Sequence, residues 1–324
     1  MNVRKKNIQI IVLVVVGLLT TVAYFALQEK SHNTNAQSTL PAQFKLGLVN
    51  NCRQTAPFIT QLHMQQPAID SKQQGHQGGL LIRDLSNLKH SWQHSSWSLS
   101  GFIGGFDRDN KGNIYVTPLP YVSLQKNPPE RQNQIYIIDH KTAQMSPFLE
   151  LPSKYVPNSN NPFGSMALFY DCDTHSLYVS SVAGSLPKEE NGIIYQIDLA
   201  SKKVVSTLQH TDAIGLGVFN TLKGKKLYYG SARKPHLYSV LLDDKGHFIG
   251  QKQYQLSLSE IQGGDSTSVK KILFKKIGNK YHMLLKETEF GFRLLAESNP
   301  NRKKYDFVYG IADDKWTFLQ ASRD

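Results

Sequence analysis

The sequence predicts an all-β protein, a six-bladed β-propeller preceded by one N-terminal transmembrane helix, with five or seven blades as the alternatives. Three observations lead to this prediction: an uncharged apolar run near the N-terminus, a strand unit that recurs about every 50 residues, and a composition rich in turn-forming and aromatic residues. The 324 residues include 23 Gly, 14 Pro, 15 Tyr and 15 Phe. Such a composition suits many short strands joined by turns.

Residues 8–27 read IQIIVLVVVGLLTTVAYFAL, which corresponds to about 30 Å of helix, the thickness of a bilayer core. Arg4, Lys5 and Lys6 precede the run, so the positive-inside rule makes residues 1–7 a cytoplasmic basic tail and exports the rest. We expect an uncleaved, single-pass signal anchor in the cell membrane. Cleavage near residues 34–36, followed by secretion, is the alternative.

Residues 28–43 are polar and lack periodicity, which predicts a flexible linker before a propeller domain at 44–324. Cys52 and Cys172 are the two cysteines of the chain. In a periplasmic or extracellular compartment they either form a disulfide or remain separate thiols, and both interpretations stay open. A bond that closes about 120 residues would stabilise the fold by roughly 4–5 kcal/mol in the chain-entropy model.

A turn followed by an apolar-Tyr-apolar strand recurs along the chain. The copies contain Tyr115, Tyr178, Tyr228 and, in weaker form, Tyr281, separated by 63, 50 and 53 residues. Each copy has an apolar segment before it and an alternating strand after it, so the unit is about four strands. Stacked units bury the faces that one sheet cannot cover alone. Dividing about 280 residues by this period favours six blades, with a strand near residues 44–49 completing the last sheet.

The stretch 177–208, LYVSSVAGSLPKEENGIIYQIDLASKKVVSTL, resembles repeats of the YVTN and NHL propellers. Residues 106–139 are similar to the same group and to the six-bladed, TolB-like propellers of the SMP-30/gluconolactonase superfamily. The resemblance covers about four units, from 97 to 297. It implies an architecture more than an activity, because such propellers include lactonases, other hydrolases and binding scaffolds.

In propellers of this kind the ligand usually lies on the loops that lead into the innermost strands. Those loops supply four ligand-binding candidates, Asn161, His210, Asp212 and Asp265. The resemblance to SMP-30-like lactonases implies one Ca²⁺ or Mg²⁺ held by oxygens, with Asn161, Asp212 and Asp265 as its ligands. The alternative is that these side chains cap turns. No catalytic residue is assigned, because the sequence lacks a nucleophile elbow, a His-Glu-x-x-His motif and a phosphate-binding loop.

The formal net charge of +12 favours anionic partners. Nucleic acid is not expected among them, since no aromatic-interleaved basic signature is present. The basic residues are scattered, with short clusters at 270–271 and 275–276, which favours a lysine-rich soluble surface. We therefore expect a membrane-tethered, extracytoplasmic binding or scaffold module for a protein or an anionic envelope ligand. The alternatives are a divalent-metal-dependent lactone or ester hydrolase, and a structural assembly part with an apolar rim.

Overall fold

The computed structural model describes residues 39–71, 78–120, 124–294 and 302–323, which belong to a compact unit spanning Thr39–Asp324. Within these segments no helix has the length and apolar character needed to span a bilayer. The predicted basic tail, the predicted membrane span at 8–27 and the first part of the predicted linker, up to residue 38, lie outside the described residues.

Twenty strands dominate the described residues, and all of them belong to five antiparallel sheets, here called blades 1 to 5. Blade 1 has three strands and each of the others has four connected in chain order, with β1 as an additional strand on blade 4. The strands are β1 Gly47–Leu48; β2 Pro67–Asp70, β3 Leu81–Asp84 and β4 Asn87–Trp92 in blade 1; β5 Ile103–Arg108, β6 Ile114–Pro118, β7 Gln134–Ile138 and β8 Met145–Glu150 in blade 2; β9 Ser165–Asp171, β10 Ser176–Ser181, β11 Ile193–Asp198 and β12 Lys203–Leu208 in blade 3; β13 Ala213–Thr221, β14 Gly224–Ser231, β15 His236–Leu242 and β16 Phe248–Ser257 in blade 4; β17 Ser268–Ile277, β18 Lys280–Thr288, β19 Lys303–Gly310 and β20 Lys315–Arg323 in blade 5.

The helical elements of the described residues are short. A four-residue α-helix, α1, spans Pro57–Thr60. Three 3₁₀ helices span Ser95–Ser100, Pro129–Arg131 and Leu258–Glu260. The protein is therefore all-β in its described part, as the composition predicts.

The β-propeller prediction is confirmed, but the predicted number of six blades is wrong, because the structure has five. The length-based count failed because residues 39–66 form no sheet of their own. The expected strand near 44–49 is also placed differently. Its two residues, Gly47 and Leu48, pair with Asn220 and Phe219 of β13 in blade 4 rather than completing the last blade.

Consecutive blades pack face to face, and four apolar clusters fill the spaces between them. The innermost strands follow one another, since β5 packs against β9, β9 against β13, and β13 against β17. Tyr115, Tyr178 and Tyr228 all lie on second strands and face the next blade along the chain. Tyr281 also lies on a second strand, but it packs toward blade 4, the preceding blade. Tyr115, Tyr178 and Tyr228 are thus core residues of the repeat, and Tyr281 is partly buried against the core.

The upper face of the propeller is defined here as the end where β5, β9, β13 and β17 begin, and the base as the end where they finish. Residues 39–60, called the strap, run along the base. The strap accepts a hydrogen bond at the Lys45 carbonyl from Asn220 in blade 4, and another at the Leu46 carbonyl from Tyr281 in blade 5. Farther along, the Val49 carbonyl accepts from the Cys172 amide of blade 3 at 2.9 Å.

The second half of the strap reaches the first two blades. Arg53 forms an ion pair with Asp107 of blade 2 at 2.5 Å, and Phe58 and Ile59 of α1 pack into the apolar cluster between blades 1 and 2. Cys52 is joined to Cys172 by a disulfide with an S–S distance of 2.06 Å. One segment of chain therefore contacts all five blades at the base, and a covalent bond fixes its middle to blade 3.

Candidate functional site

An apolar cluster lies at the upper ends of the inner strands. The segment that follows β18 contributes Phe290 and Phe292, whose rings are 5.1 Å apart. Phe290 also lies 5.1 Å from Phe163, which precedes β9. A loop of blade 5 thus packs onto the upper ends of the neighbouring blades. The members of the cluster are Leu119, Phe163, Met166, Val182, Ile214, Ala232, Phe290, Phe292 and Leu294.

Asn161 is buried beside this cluster and holds two loops together. Its amide Nδ2 donates to the carbonyls of Val182 and Ser185, both at 2.8 Å, in the β10–β11 loop. Its Oδ1 accepts from the Phe163 amide at 3.0 Å. The side chain therefore acts as a turn cap, which is a common role for asparagine at such positions.

Asp212 is buried at the upper end of blade 4 and contacts the same β10–β11 loop. Its Oδ1 accepts from the Ser185 hydroxyl and from the Gly192 amide. Its Oδ2 accepts from Arg233 Nε at 2.5 Å. Burial raises the pKa of Asp212, whereas the hydrogen bonds from Ser185 and Arg233 oppose this rise.

Arg233 extends this network into the loop itself. Its guanidinium donates to the carbonyls of Leu186 and Pro187 at 2.7 and 2.9 Å and to that of Glu189. The guanidinium carbon also lies 5.1 Å from the centre of the Phe292 ring. Because a buried ion pair needs further hydrogen bonds to offset desolvation, these contacts indicate that the network fixes the loop to blades 4 and 5.

The two other predicted site residues are exposed. His210 contacts the β10–β11 loop, where its Nδ1 lies 3.1 Å from the Glu190 carbonyl. Asp265 lies apart from the loop, in the connection before β17, and pairs with Lys303 Nζ at 2.9 Å. The structure thus brings Asn161, His210 and Asp212 to one loop of blade 3, and it places Asp265 on blade 5.

The described contacts of the predicted metal ligands are with protein groups. Across the segments that the structure describes, no group of three or more His, Cys, Asp or Glu side chains is arranged to hold a metal ion. A divalent cation at Asp212 would have to displace the Arg233 guanidinium, which itself stabilises a buried carboxylate. The Ca²⁺ or Mg²⁺ site stays a prediction, and the observed arrangement serves to hold loops.

Blade 5 carries an excess of positive charge, and strand pairing brings together lysines that are far apart in the chain. Residues 268–323 contain 12 Lys and Arg against 6 Asp and Glu. Three of these lysines are directly paired across neighbouring strands, Lys271 with Lys286 and Lys286 with Lys304. Directly paired residues point to the same face of a sheet, so these three lysines, called the lysine row, share one face of blade 5.

Further basic residues lie near the lysine row. Lys303 is paired with Arg323 of β20 on the opposite face of blade 5, because successive residues of a strand alternate between its two faces. Lys270 lies beside the row at the start of β17 and is exposed. Desolvation lowers the pKa of Lys270, and the positive charges of Arg302 and Lys271 lower it further. Lys270 therefore lies in a region of concentrated positive charge.

Two features of the site were not predicted from the sequence, Arg233 and the lysine row. Arg233 was not selected, although a buried aspartate such as Asp212 requires a nearby cation, and Arg233 lies in the loop directly after β14. The lysine row was missed because its members are 15 and 18 residues apart in the chain. Only the strand register brings them together.

No protein-family model matches the chain, and no curated protein matches it. Among solved structures, it is similar to a hypothetical selenium-binding protein from Sulfolobus tokodaii, with 9% identity, a TM-score of 0.44, and 80% of this chain and 74% of that one covered. It is also similar to the β-propeller domain of Swd1 from Myceliophteria thermophila, with 10% identity, a TM-score of 0.41 and coverages of 76% and 67%. A glucose dehydrogenase matches with 10% identity, a TM-score of 0.40 and coverages of 72% and 76%.

Similarities this distant transfer no activity, substrate or partner to the chain. Membership of the NHL, YVTN or SMP-30-like propellers stays a prediction. The fold itself follows from the order of the strands in each sheet and from the packing of consecutive sheets. The chain has the five-bladed β-propeller fold.

Proposed function

We propose that this protein is a membrane-tethered, extracytoplasmic binding module whose fifth blade binds an anionic envelope polymer. The propeller supplies a rigid scaffold, and the lysine row with its flanking cations supplies the binding surface. The ligand is recognised by repeated phosphate or carboxylate groups. Residues 8–27 anchor the chain in the membrane.

The location is supported by two independent features. The Cys52–Cys172 disulfide suits an oxidising compartment outside the cytoplasm. The apolar run at 8–27 follows Arg4, Lys5 and Lys6, which favours retention of the N-terminus in the cytoplasm and export of the propeller. Both features point to the same side of the membrane for residues 39–324.

The lysine row is the observation that carries the choice of ligand. Lys271, Lys286 and Lys304 occupy directly paired positions on one face of blade 5, so their side chains lie within reach of a single extended ligand. An anionic polymer that crosses the strands gains from all three charges together. Clustered charge of one sign also raises the rate at which oppositely charged ligands associate.

A binding role also agrees with how the polar groups of the upper face are used. The Asp212 carboxylate is bound by Ser185, Gly192 and Arg233, and the Asn161 amide is bound by backbone carbonyls. These contacts hold loops in place and support a preformed surface. Preorganisation of this kind lowers the entropic cost of binding.

The proposal predicts that the full-length protein in detergent micelles binds fluorescein-labelled polyphosphate, with an affinity that falls steeply as salt is raised. Replacing the lysine row by glutamine, as Lys271→Gln, Lys286→Gln and Lys304→Gln together, is expected to weaken binding about fivefold, because each lysine charge contributes about 0.2–1 kcal/mol. Fluorescence anisotropy measures the dissociation constants.

The matched control removes the same charge from exposed lysines of blades 1 to 3, as Lys89→Gln, Lys141→Gln and Lys203→Gln together. We expect this variant to bind within about twofold of the wild type, because its lysines lie in other blades. Equal weakening in the two triple variants would instead mean that net charge alone governs binding, which contradicts a site on blade 5.

A further inference from the structure

Two neighbouring hairpins of blade 5 end at the base with exposed isoleucines. Ile277 closes β17 and is 45% exposed, and Ile311 follows β19 and is 48% exposed. The register pairs Ile277 with Lys280 and His282 with Val308, so the β17–β18 turn lies beside the β19–β20 turn. The two isoleucines are therefore on adjacent hairpin ends.

Exposed lysines surround these isoleucines. Lys275, Lys276 and Lys280 belong to the first hairpin, and Lys315 begins the last strand next to the second turn. Together with Ile277 and Ile311 they are called the base patch. Lysines around exposed aliphatic side chains are the composition by which peripheral proteins bind anionic bilayers.

The acidic residues of the second turn neutralise little of this charge. Asp314 forms an ion pair with Lys226 of blade 4 at 2.9 Å and accepts a hydrogen bond from Tyr309. Asp313 is exposed in the same turn. One exposed carboxylate thus stands against the four lysines of the base patch, and the patch remains basic.

The compact unit also begins at this end of the molecule. The Thr39 amide donates to the Leu222 carbonyl at 2.8 Å, and the Leu222 amide donates to the Tyr309 hydroxyl of blade 5 at 3.2 Å. Residues 28–38, between the predicted anchor and Thr39, reach at most about 40 Å when fully extended. In a chain anchored through residues 8–27, Thr39 therefore stays within about 40 Å of the anchor.

We infer that the base patch binds the anionic lipid headgroups of the membrane in which the chain is anchored, so that the base of the propeller faces the bilayer. The inference builds on the membrane tether of the proposed function, but it uses a different surface. The four lysines bind phosphate groups, and Ile277 and Ile311 insert at the boundary between headgroups and acyl chains. The upper face then points away from the membrane, toward envelope ligands.

The test uses the full-length protein with a protease site introduced within residues 28–38, reconstituted in vesicles. After cleavage, sedimentation measures how much propeller stays on vesicles of 30% phosphatidylglycerol in phosphatidylcholine, compared with phosphatidylcholine alone. We expect retention on the anionic vesicles at low salt and release from the neutral ones. Each lysine near an anionic leaflet contributes about 1 kcal/mol, so Lys275→Gln, Lys280→Gln and Lys315→Gln together lower the partition coefficient about a hundredfold.

The matched control removes three exposed lysines from the upper face, as Lys154→Gln, Lys188→Gln and Lys234→Gln, and is expected to partition within about twofold of the wild type. Ile277→Ser with Ile311→Ser keeps the charge and is expected to lower partition roughly tenfold. Equal release of the wild type from both lipid compositions would overturn the inference. Retention that depends on the lysine row rather than the base patch would also overturn it, while leaving the polyphosphate-binding proposal intact.

Discussion

Replacing Lys225 by methionine is expected to lower the free energy of unfolding by about 3–5 kcal/mol, the cost of leaving a buried charge without its partner. Lys225 Nζ lies 2.9 Å from Asp171 and 2.9 Å from Asp173, and neither Lys225 nor Asp171 has any side-chain exposure. The ammonium also lies 4.6 Å from the centre of the Phe44 ring in the strap. One cation therefore joins blade 3, blade 4 and the strap.

The loss should depend on pH. Burial raises the pKa of Asp171, and Lys225 opposes this rise, so removal of the lysine raises the pKa further. A buried carboxyl with a raised pKa is stable when protonated and loses stability as pH rises through that pKa. The destabilisation by Lys225→Met is therefore expected to be larger at pH 8 than at pH 5, as measured by denaturant unfolding of the full-length protein in micelles.

Lys223 provides the matched control, because it lies in the same hairpin and is exposed. Lys223→Met is expected to change stability by no more than about 0.5 kcal/mol. Adding Asp171→Asn to Lys225→Met should recover part of the loss, since it removes the unpaired charge. A Lys225→Met protein that loses less than about 1 kcal/mol would contradict a supporting role for the buried pair.

Removing the disulfide, as Cys52→Ser with Cys172→Ser, is expected to lower the unfolding free energy by roughly 4–5 kcal/mol in the chain-entropy model, because the bond closes a loop across a sequence separation of 120. The bond also holds the middle of the strap on blade 3. We expect hydrogen exchange to increase first in residues 39–60. Reduction of the wild type should produce the same change as the double substitution.

The control for this prediction is the effect of reductant on the double variant, which should be nil, because the chain has no other cysteines. The Arg53–Asp107 ion pair is expected to keep the second half of the strap in place when the disulfide is lost. If the double variant and the wild type unfold at the same denaturant concentration, the disulfide does not secure the strap.

The repeat could be predicted from the sequence because each copy carries its own local signal. Tyr115, Tyr178 and Tyr228 lie on equivalent strands and face equivalent directions, since a four-stranded blade buries the same position in each copy. The number of blades could not be predicted by division. Residues 39–60 form the strap rather than a blade, and blade 1 has only three strands.

The candidate site was predictable in part. Asn161, His210 and Asp212 were found because the loops that enter inner strands converge at one end of a propeller, and all three contact the β10–β11 loop. The lysine row depends on the register between β17, β18 and β19. Periodicity indicates strands but does not give their register across a long connection such as the one before β19.

Hydrogen–deuterium exchange of the full-length protein, with and without polyphosphate, tests most directly whether blade 5 binds the anionic ligand. We predict that polyphosphate slows exchange in peptides from residues 268–288 and 302–323, and leaves the exchange of blades 1 to 3 unchanged. Slower exchange confined to the β10–β11 loop and the segments around Asp212, with blade 5 unaffected, would contradict the account.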